Sequence, residues 1–382
     1  MNGVEEYLSD NMRRQREFFR RSDPGDLLIA VGCAAKNPQV PRPAGEEPVP
    51  GAMHLTSEEH LATNACEMGA ASMRAAARSV RRHYEESRDD YCPCAVFKPG
   101  SGYSSAMFSG ADLRFLASSW GNSNYTVQPV IETWDDVDTA FSLNNRWVDY
   151  AMDFWRGAQT EYTPDVAVAP LFYRSPLDLA NDMRGDRLFI DMYDSPDEVE
   201  RLVRRCAEKT VALDGMFRDE FKFLREGPGG ALGMRLTAPT MVFNGDPLDL
   251  ISEEMGERFN RPSFEMITEY CLTTVIHHHS IGVSRALAVS GIEGLTVQEV
   301  FQDPNGPMLR DSIDDNLIEA SLRVPILLEW SLNLFDNIRE ISDFEGMIEA
   351  LSNGRFILNV GGADKDQCRR YVDAVHRVTG LQ

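Results

Sequence analysis

The chain predicts an α/β fold: a single TIM-type (β/α)8 barrel with an N-terminal helical extension. Two observations predict it. About eight short apolar, β-branched runs alternate with stretches of helical periodicity, and polar residues collect at or just past the ends of those runs. At 382 residues, 43% of them hydrophobic and 26% charged, the chain is long enough to bury one large core.

In order, residues 5–22 read as an Arg-rich helix, which makes 1–26 the extension and 27–382 the barrel. Leu27 to Val31 is the first strand. Residues 34–55 are Pro-rich and predict a long irregular loop over the barrel mouth. Thr56 with Glu59 forms a capping box for a helix to about Glu86. Ala95 to Phe97 is the second strand and leads to Lys98. Residues 126–131 are extended, and Trp147, Val148, Ala151, Phe154 and Trp155 make an apolar helix face. Val166 to Phe172 is the third strand, followed by Tyr173. Ser195-Pro196-Asp197-Glu198 opens another helix, with a Ser cap and Pro at its first position. Gly230 to Leu236 reads as the fourth strand, and a helix near 262–271 leads into the fifth. Leu295 to Val300 is the sixth, followed by Gln302. Val324 to Leu328 is the seventh and ends at Glu329. Phe356 to Val360 is the eighth, ending Gly361-Gly362, and a last helix covers about 364–378.

Charge and composition exclude several functions. The net charge of −22 argues against a broad nucleic-acid interface and against an anionic membrane surface. No apolar run is long enough to span a bilayer, and the first residues do not read as a signal peptide. Seven scattered cysteines fit a reducing cytoplasm better than a disulfide framework. Cys92-Pro-Cys94 has no second pair at zinc-ligand spacing. Whether the chain forms a homodimer is left open.

The fifth strand carries the chemistry. Leu-Thr-Thr-Val-Ile-His-His-His-Ser-Ile-Gly, residues 272–282, is a buried run whose last residues turn polar. Alternation puts His277 and His279 on one face and His278 on the other. Two imidazoles on one face at a strand end can share a metal, an anion or a proton-transfer task. Lys98, Tyr173, His277, His279, Gln302, Glu329 and Gly361 all fall at the end where a barrel holds its active site.

Two segments resemble the uroporphyrinogen decarboxylase superfamily. One is Ser175-Pro176-Leu177-Asp178 through Arg184-Gly185, continuing to Asp194-Ser195-Pro196. The other runs from Asn244-Gly245-Asp246 through Ile251-Ser252-Glu253 to His277 and Gly282. The resemblance implies a TIM-type barrel and either a tetrapyrrole decarboxylase or a zinc-dependent methyltransferase that works with a corrinoid protein. The decarboxylase's tyrosine position falls on Asn181 or Asp182, and its late histidine falls on Gly362, which argues against uroporphyrinogen as substrate. The methyltransferase branch binds zinc through a His-x-Cys after this strand and a later Cys. Here the spacing is kept as His277-x-His279, and the late Cys is missing. The resemblance therefore implies a zinc set of His277, His279 and a carboxylate, with Glu329 as the expected third ligand. Asp246 joins the two histidines as a candidate catalytic residue. Lys98, Tyr173, Asp178, Arg184, Asn244, Gln302 and Gly361 are the expected substrate contacts. The partners implied are a small-molecule methyl donor or acceptor and a separate corrinoid protein. Two other readings stay open: a decarboxylase of a tetrapyrrole or smaller carboxylic acid, and a non-catalytic barrel that binds a tetrapyrrole or a partner.

Overall fold

A computed structural model describes residues 3–21, 24–33, 58–99, 101–117, 123–303, 306–307, 309–330, 341–362 and 364–380. The expected mouth loop at 34–55 and the cap residue Thr56 lie outside the described residues. The strands are β1 (Leu27–Cys33), β2 (Cys94–Val96), β3 (Leu113–Ala117), β4 (Ser123–Val127), β5 (Ala167–Ala169), β6 (Phe172–Arg174), β7 (Gly230–Ala231), β8 (Met234–Arg235), β9 (Thr240–Asn244), β10 (Thr273–His279), β11 (Val297–Phe301), β12 (Ile326–Trp330) and β13 (Phe356–Gly362). Helices between them include Gly3–Arg20, Glu58–Glu86, Arg146–Glu161, Pro196–Glu220, Arg261–Tyr270 and Lys365–Val378.

Seven strands form one parallel sheet in the order β1-β13-β12-β11-β10-β9-β6. Beyond β6 the wall continues: β2 pairs in parallel with β5, and Phe172 N–H donates to Phe97 O at 2.9 Å. The circuit thus comes back to β1, but no ladder joins β1 to β2. The arrangement is consistent with a TIM-type barrel left open at that seam.

Two aspartates fill the seam. Asp90 N–H donates to Ile29 O at 2.7 Å, Ile29 N–H donates to Asp90 Oδ2 at 2.9 Å, and Val31 N–H donates to Asp89 Oδ2 at 2.5 Å. Buried N–H groups of β1 therefore find acceptors without a neighbouring strand. The charges are met in turn. Tyr7 on the first helix donates to Asp89 at 2.8 Å, His83 Nδ1 lies 2.8 Å from its other oxygen, and Arg14 pairs with Asp90.

Strand alternation sorts the interior. Leu28, Val242, Val275, Val297, Leu327 and Ile357 meet inside the ring as an apolar floor, closed by Phe18 of the first helix and by Ala231 and Met234. The opposite faces, with Ile29, Val300, Ile326, Leu328 and Leu358, pack on helix residues such as Phe344, Ile348 and Val372. Burial on both faces explains why these strands read as continuous apolar runs. Above the floor the inward positions turn polar: Asn244, His277, Glu299, Glu329 and Asn359.

Two sequence expectations need correction. Gly230–Leu236 is no wall strand: Leu232 (φ 55) and Gly233 (φ 79) reverse the chain into the small β7–β8 hairpin. The wall strand there is β9, which starts just after Pro239. Ser195 makes no side-chain cap to the helix Pro196–Glu220; its N–H closes the preceding helix on Asp191 O at 2.8 Å.

Candidate metal centre

β10 places its histidines as alternation requires. His277 and His279 face the interior with their Nε2 atoms 3.2 Å apart, while the fully buried His278 turns outward, Nε2 3.3 Å from Gln298 Oε1. Asp246, just past β9, brings Oδ1 to 3.2 Å from His279 Nε2. One ligand atom from each of Asp246, His277 and His279 lies within 4.8 Å of the others, a grouping able to hold a metal ion. The set is two nitrogens and one oxygen, with no sulfur.

Each of the three is oriented from behind. His277 Nδ1 is 2.9 Å from Glu299 Oε2, and His279 Nδ1 is 2.8 Å from Asp303 Oδ1. A carboxylate only accepts, so both Nδ1 atoms carry the proton and both Nε2 lone pairs point into the cluster. Asp246 is pinned through its other oxygen: Asn244 Nδ2 donates to Oδ2 at 2.7 Å, and Arg174 lies 3.6 Å away. Asp249 Oδ2 accepts the His279 backbone N–H at 2.8 Å, which fixes the strand end. Its carboxylate packs on Gly282, where a Cβ would come within 1.7 Å of Oδ1. Only glycine fits that approach.

Without a metal, two facing lone pairs and a carboxylate need a proton between them. Burial disfavours the imidazolium of His279, but Asp246 and Asp303 on either side outweigh it and raise the group to about 9. Burial likewise opposes charge on Asp246, yet His279, Arg174 and His277 hold it down at about 2. The cluster is thus built around a positive charge, which a divalent cation supplies in competition with the proton.

The fold has a solved counterpart. A methyltransferase from Methanosarcina mazei superposes with a TM-score of 0.55 over 83% of this chain and 86% of that one, at 12% identity. Identity that low speaks to the fold alone. No protein-family profile matches the chain, and no curated protein matches its sequence.

The other expected site residues divide. Asn244 orients Asp246, as above. Lys98 is exposed past β2, with Nζ 4.3 Å from the Phe172 ring centroid, and that ring stands 5.9 Å from His277. Gly361 pairs with Gly32 of β1. Asp178 is buried, accepts from Ser175 Oγ at 2.7 Å and lies 3.0 Å from Arg174; burial raises its carboxyl well above the usual range. Tyr173 points away from the interior and donates to Asp214 at 2.9 Å. Arg184 ties its helix to the segment before it, pairing with Asp191 at 2.8 Å and donating to Ile131 O at 3.0 Å over the Trp134 ring. Gln302 pins its own loop, donating to Asp303 O at 2.9 Å and Pro307 O at 3.0 Å. Tyr173, Arg184 and Gln302 are thus held in structural contacts. Glu329 stands outside the histidine cluster: the carboxylate beside the two imidazoles is Asp246, while burial and the neighbouring Glu299 raise the Glu329 carboxyl well above its ordinary range.

Arg174, Asp249, Glu299 and Asp303 were not singled out from sequence. Glu299 left a signal, a lone acid inside an apolar strand two residues past inward-facing Val297. Asp303 read as part of an Asp-Pro-Asn-Gly turn, and nothing local marks Arg174.

Proposed function

We propose that the protein is a metal-dependent methyltransferase. Its candidate metal set is Asp246, His277 and His279, and its methyl group passes to or from a separate corrinoid protein. The observation that carries the metal is the complete outer set: each of the three ligands is held by its own partner, Asn244 and Arg174, Glu299, and Asp303 respectively. A chance cluster of acids and histidines has no reason to show both Nδ1–H groups tied back and both Nε2 atoms converging. Two imidazoles and a carboxylate suit zinc, and other divalent first-row metals fit the same donors. When bound, such an ion acts as a Lewis acid toward the group carrying or accepting the methyl.

The chain's own residues supply the rest. Glu299 and Asp303 keep the histidines in the ligating tautomer. Arg174 and Asn244 keep one Asp246 oxygen turned inward. Phe301, with its ring 5.7 Å from His279 and 5.9 Å from His277, walls the site with apolar surface. A cleft of about 400 Å³, lined by Asp246, Asp249, Leu250, His279, Ile281, Asp303 and Gly306, reaches the ligands from outside and suits a small molecule. The fold likeness to a methyltransferase is compatible with this reading.

Zinc-loaded protein should speed methyl exchange between cobalamin and small methyl donors or thiols, followed by the visible spectrum of the cobalt. Asp246→Ala should remove the acceleration. Metal-loaded wild-type protein inert in both directions would contradict the proposal.

A further inference from the structure

The cleft beside the candidate metal set carries one sign of charge. Asp246, Asp249 and Asp303 all line it, and none of its lining residues is Lys or Arg. Two of the three acids are engaged. Asp246 belongs to the metal set, and Asp249 accepts the His279 N–H with one oxygen while the other lies 3.3 Å from His278 Nδ1. Asp303 is different. Its Oδ1 accepts from His279 Nδ1–H, but its Oδ2 has no partner among the described residues, and the side chain is 24% exposed.

Neighbouring cations do not offset this charge. Arg174 is shared among Asp178 at 3.0 Å, Asp182 at 2.8 Å and Asp246 at 3.6 Å. Lys98 does not line the cleft; it rests on the Phe172 ring, on the His277 side of the site. The other walls are aliphatic, with Leu250 68% exposed and Ile281 56% exposed. A ligand that fits both features has a positive end and a short methylene stem.

We propose that the methyl acceptor of this site is a cationic thiol, a short aminothiol whose sulfur meets the metal and whose ammonium meets Asp303. The proposal rests on the methyl-transfer reading above. A thiolate at the open position of a two-histidine, one-carboxylate ion adds a negative charge beside Asp246 and Asp303. An ammonium on the same molecule offsets it, whereas a carboxylate or sulfonate there would add to the repulsion. Asp303 stands one imidazole away from the ligating nitrogen of His279, so a spacer of about two or three carbons joins the two ends. In the step, the thiol gives its proton to solvent and a sulfur–carbon bond forms to the methyl group of a methylcobalt donor. The cobalt–carbon bond breaks with its electron pair left on cobalt.

Co²⁺-substituted protein tests the charge preference through the thiolate-to-cobalt absorption band. Cysteamine should bind about 10-fold tighter than 2-mercaptoethanol and about 100-fold tighter than 3-mercaptopropionate. These thiols differ in acidity, so the control is a change in the protein. Ile281→Lys, at an exposed position, puts a cation at the cleft; it should weaken cysteamine by about 10-fold and tighten 3-mercaptopropionate. Tighter binding of the anionic thiol by wild type, an unchanged preference in Ile281→Lys, or no band with cysteamine overturns the cationic class and leaves the methyl-transfer reading standing. Wild-type protein that binds cysteamine with the expected preference yet takes no methyl from methylcobalamin overturns the acceptor role together with the reading it rests on.

Discussion

Glu299 and Asp303 lie outside the proposed ligand set, yet each holds one of its histidine rings by the Nδ1–H. Glu299→Gln and Asp303→Asn should each weaken metal binding by about 10–100-fold, the usual effect of losing an outer carboxylate. Equilibrium dialysis against zinc would measure it, and unchanged affinity would deny them that role. The metal-free protein should also show the proton that substitutes for the ion. His279 is raised to about 9, so its stabilising contribution is complete below its unfolded value of 6.5 and is lost as pH rises through 9. Asp246 is lowered to about 2, so its contribution is present above 3.8 and is lost as pH falls through 2. Thermal melts of chelator-treated protein should fall from pH 6.5 to 9, and His279→Gln should flatten that slope. At this scale the sequence was legible where one strand carried the information: alternation alone separated His277 and His279 from His278. It was illegible where a partner came from another strand. Asp246 rather than Glu329 stands beside the imidazoles because β9 is the neighbour of β10, whereas β12 is two strands away.

Elements depend on closer packing than the residue list suggests. The helices Glu58–Glu86 and Arg146–Glu161 cross at two glycines, and a Cβ on Gly157 would lie 1.7 Å from Cys66 O while one on Gly69 would lie 1.8 Å from Phe154 O. Those contacts are to backbone, which cannot swing aside, so Gly157→Ala should cost about 1–3 kcal/mol or more by denaturant melts. A neutral outcome would mean that the helices can part. The open seam makes a second case. Asp90→Ala leaves the buried Ile29 N–H without its acceptor and Arg14 without its carboxylate partner, with only His376 still beside it, and should destabilise by about 1–3 kcal/mol. Asp90→Asn, which keeps an acceptor, should recover part of that loss. The long strands with clear turn signals, β1, β10 and β13, were legible. β9 was not: Pro239 and the glycines at 229, 230 and 233 drew the strand assignment one segment too early. The Asp89-Asp90 seam could not be read, since side chains standing in for a strand leave no periodic pattern.

For the whole molecule, about eight apolar runs alternating with helices were enough to expect an α/β fold built on a parallel sheet, with polar residues gathered at the strand ends. The interior grades from a floor of valine, leucine and isoleucine to a ceiling of histidine, asparagine and glutamate because β9 to β13 each turn polar at the inward position that follows the floor residue. What the pattern could not tell was which polar residues meet, since that depends on strand order and register around the wall. The carboxylate of Asp246, just past β9, and the two inward imidazoles of β10 form the proposed metal centre. Titration of metal-stripped protein with Co²⁺ tests it most directly, followed by visible d–d absorption and by equilibrium dialysis. One ion per chain is expected, with affinity falling at least about 100-fold in His277→Ala, His279→Ala and Asp246→Ala and staying near wild type in Glu329→Gln. Binding that survives loss of both histidines, or that depends on Glu329 and not on Asp246, would contradict it.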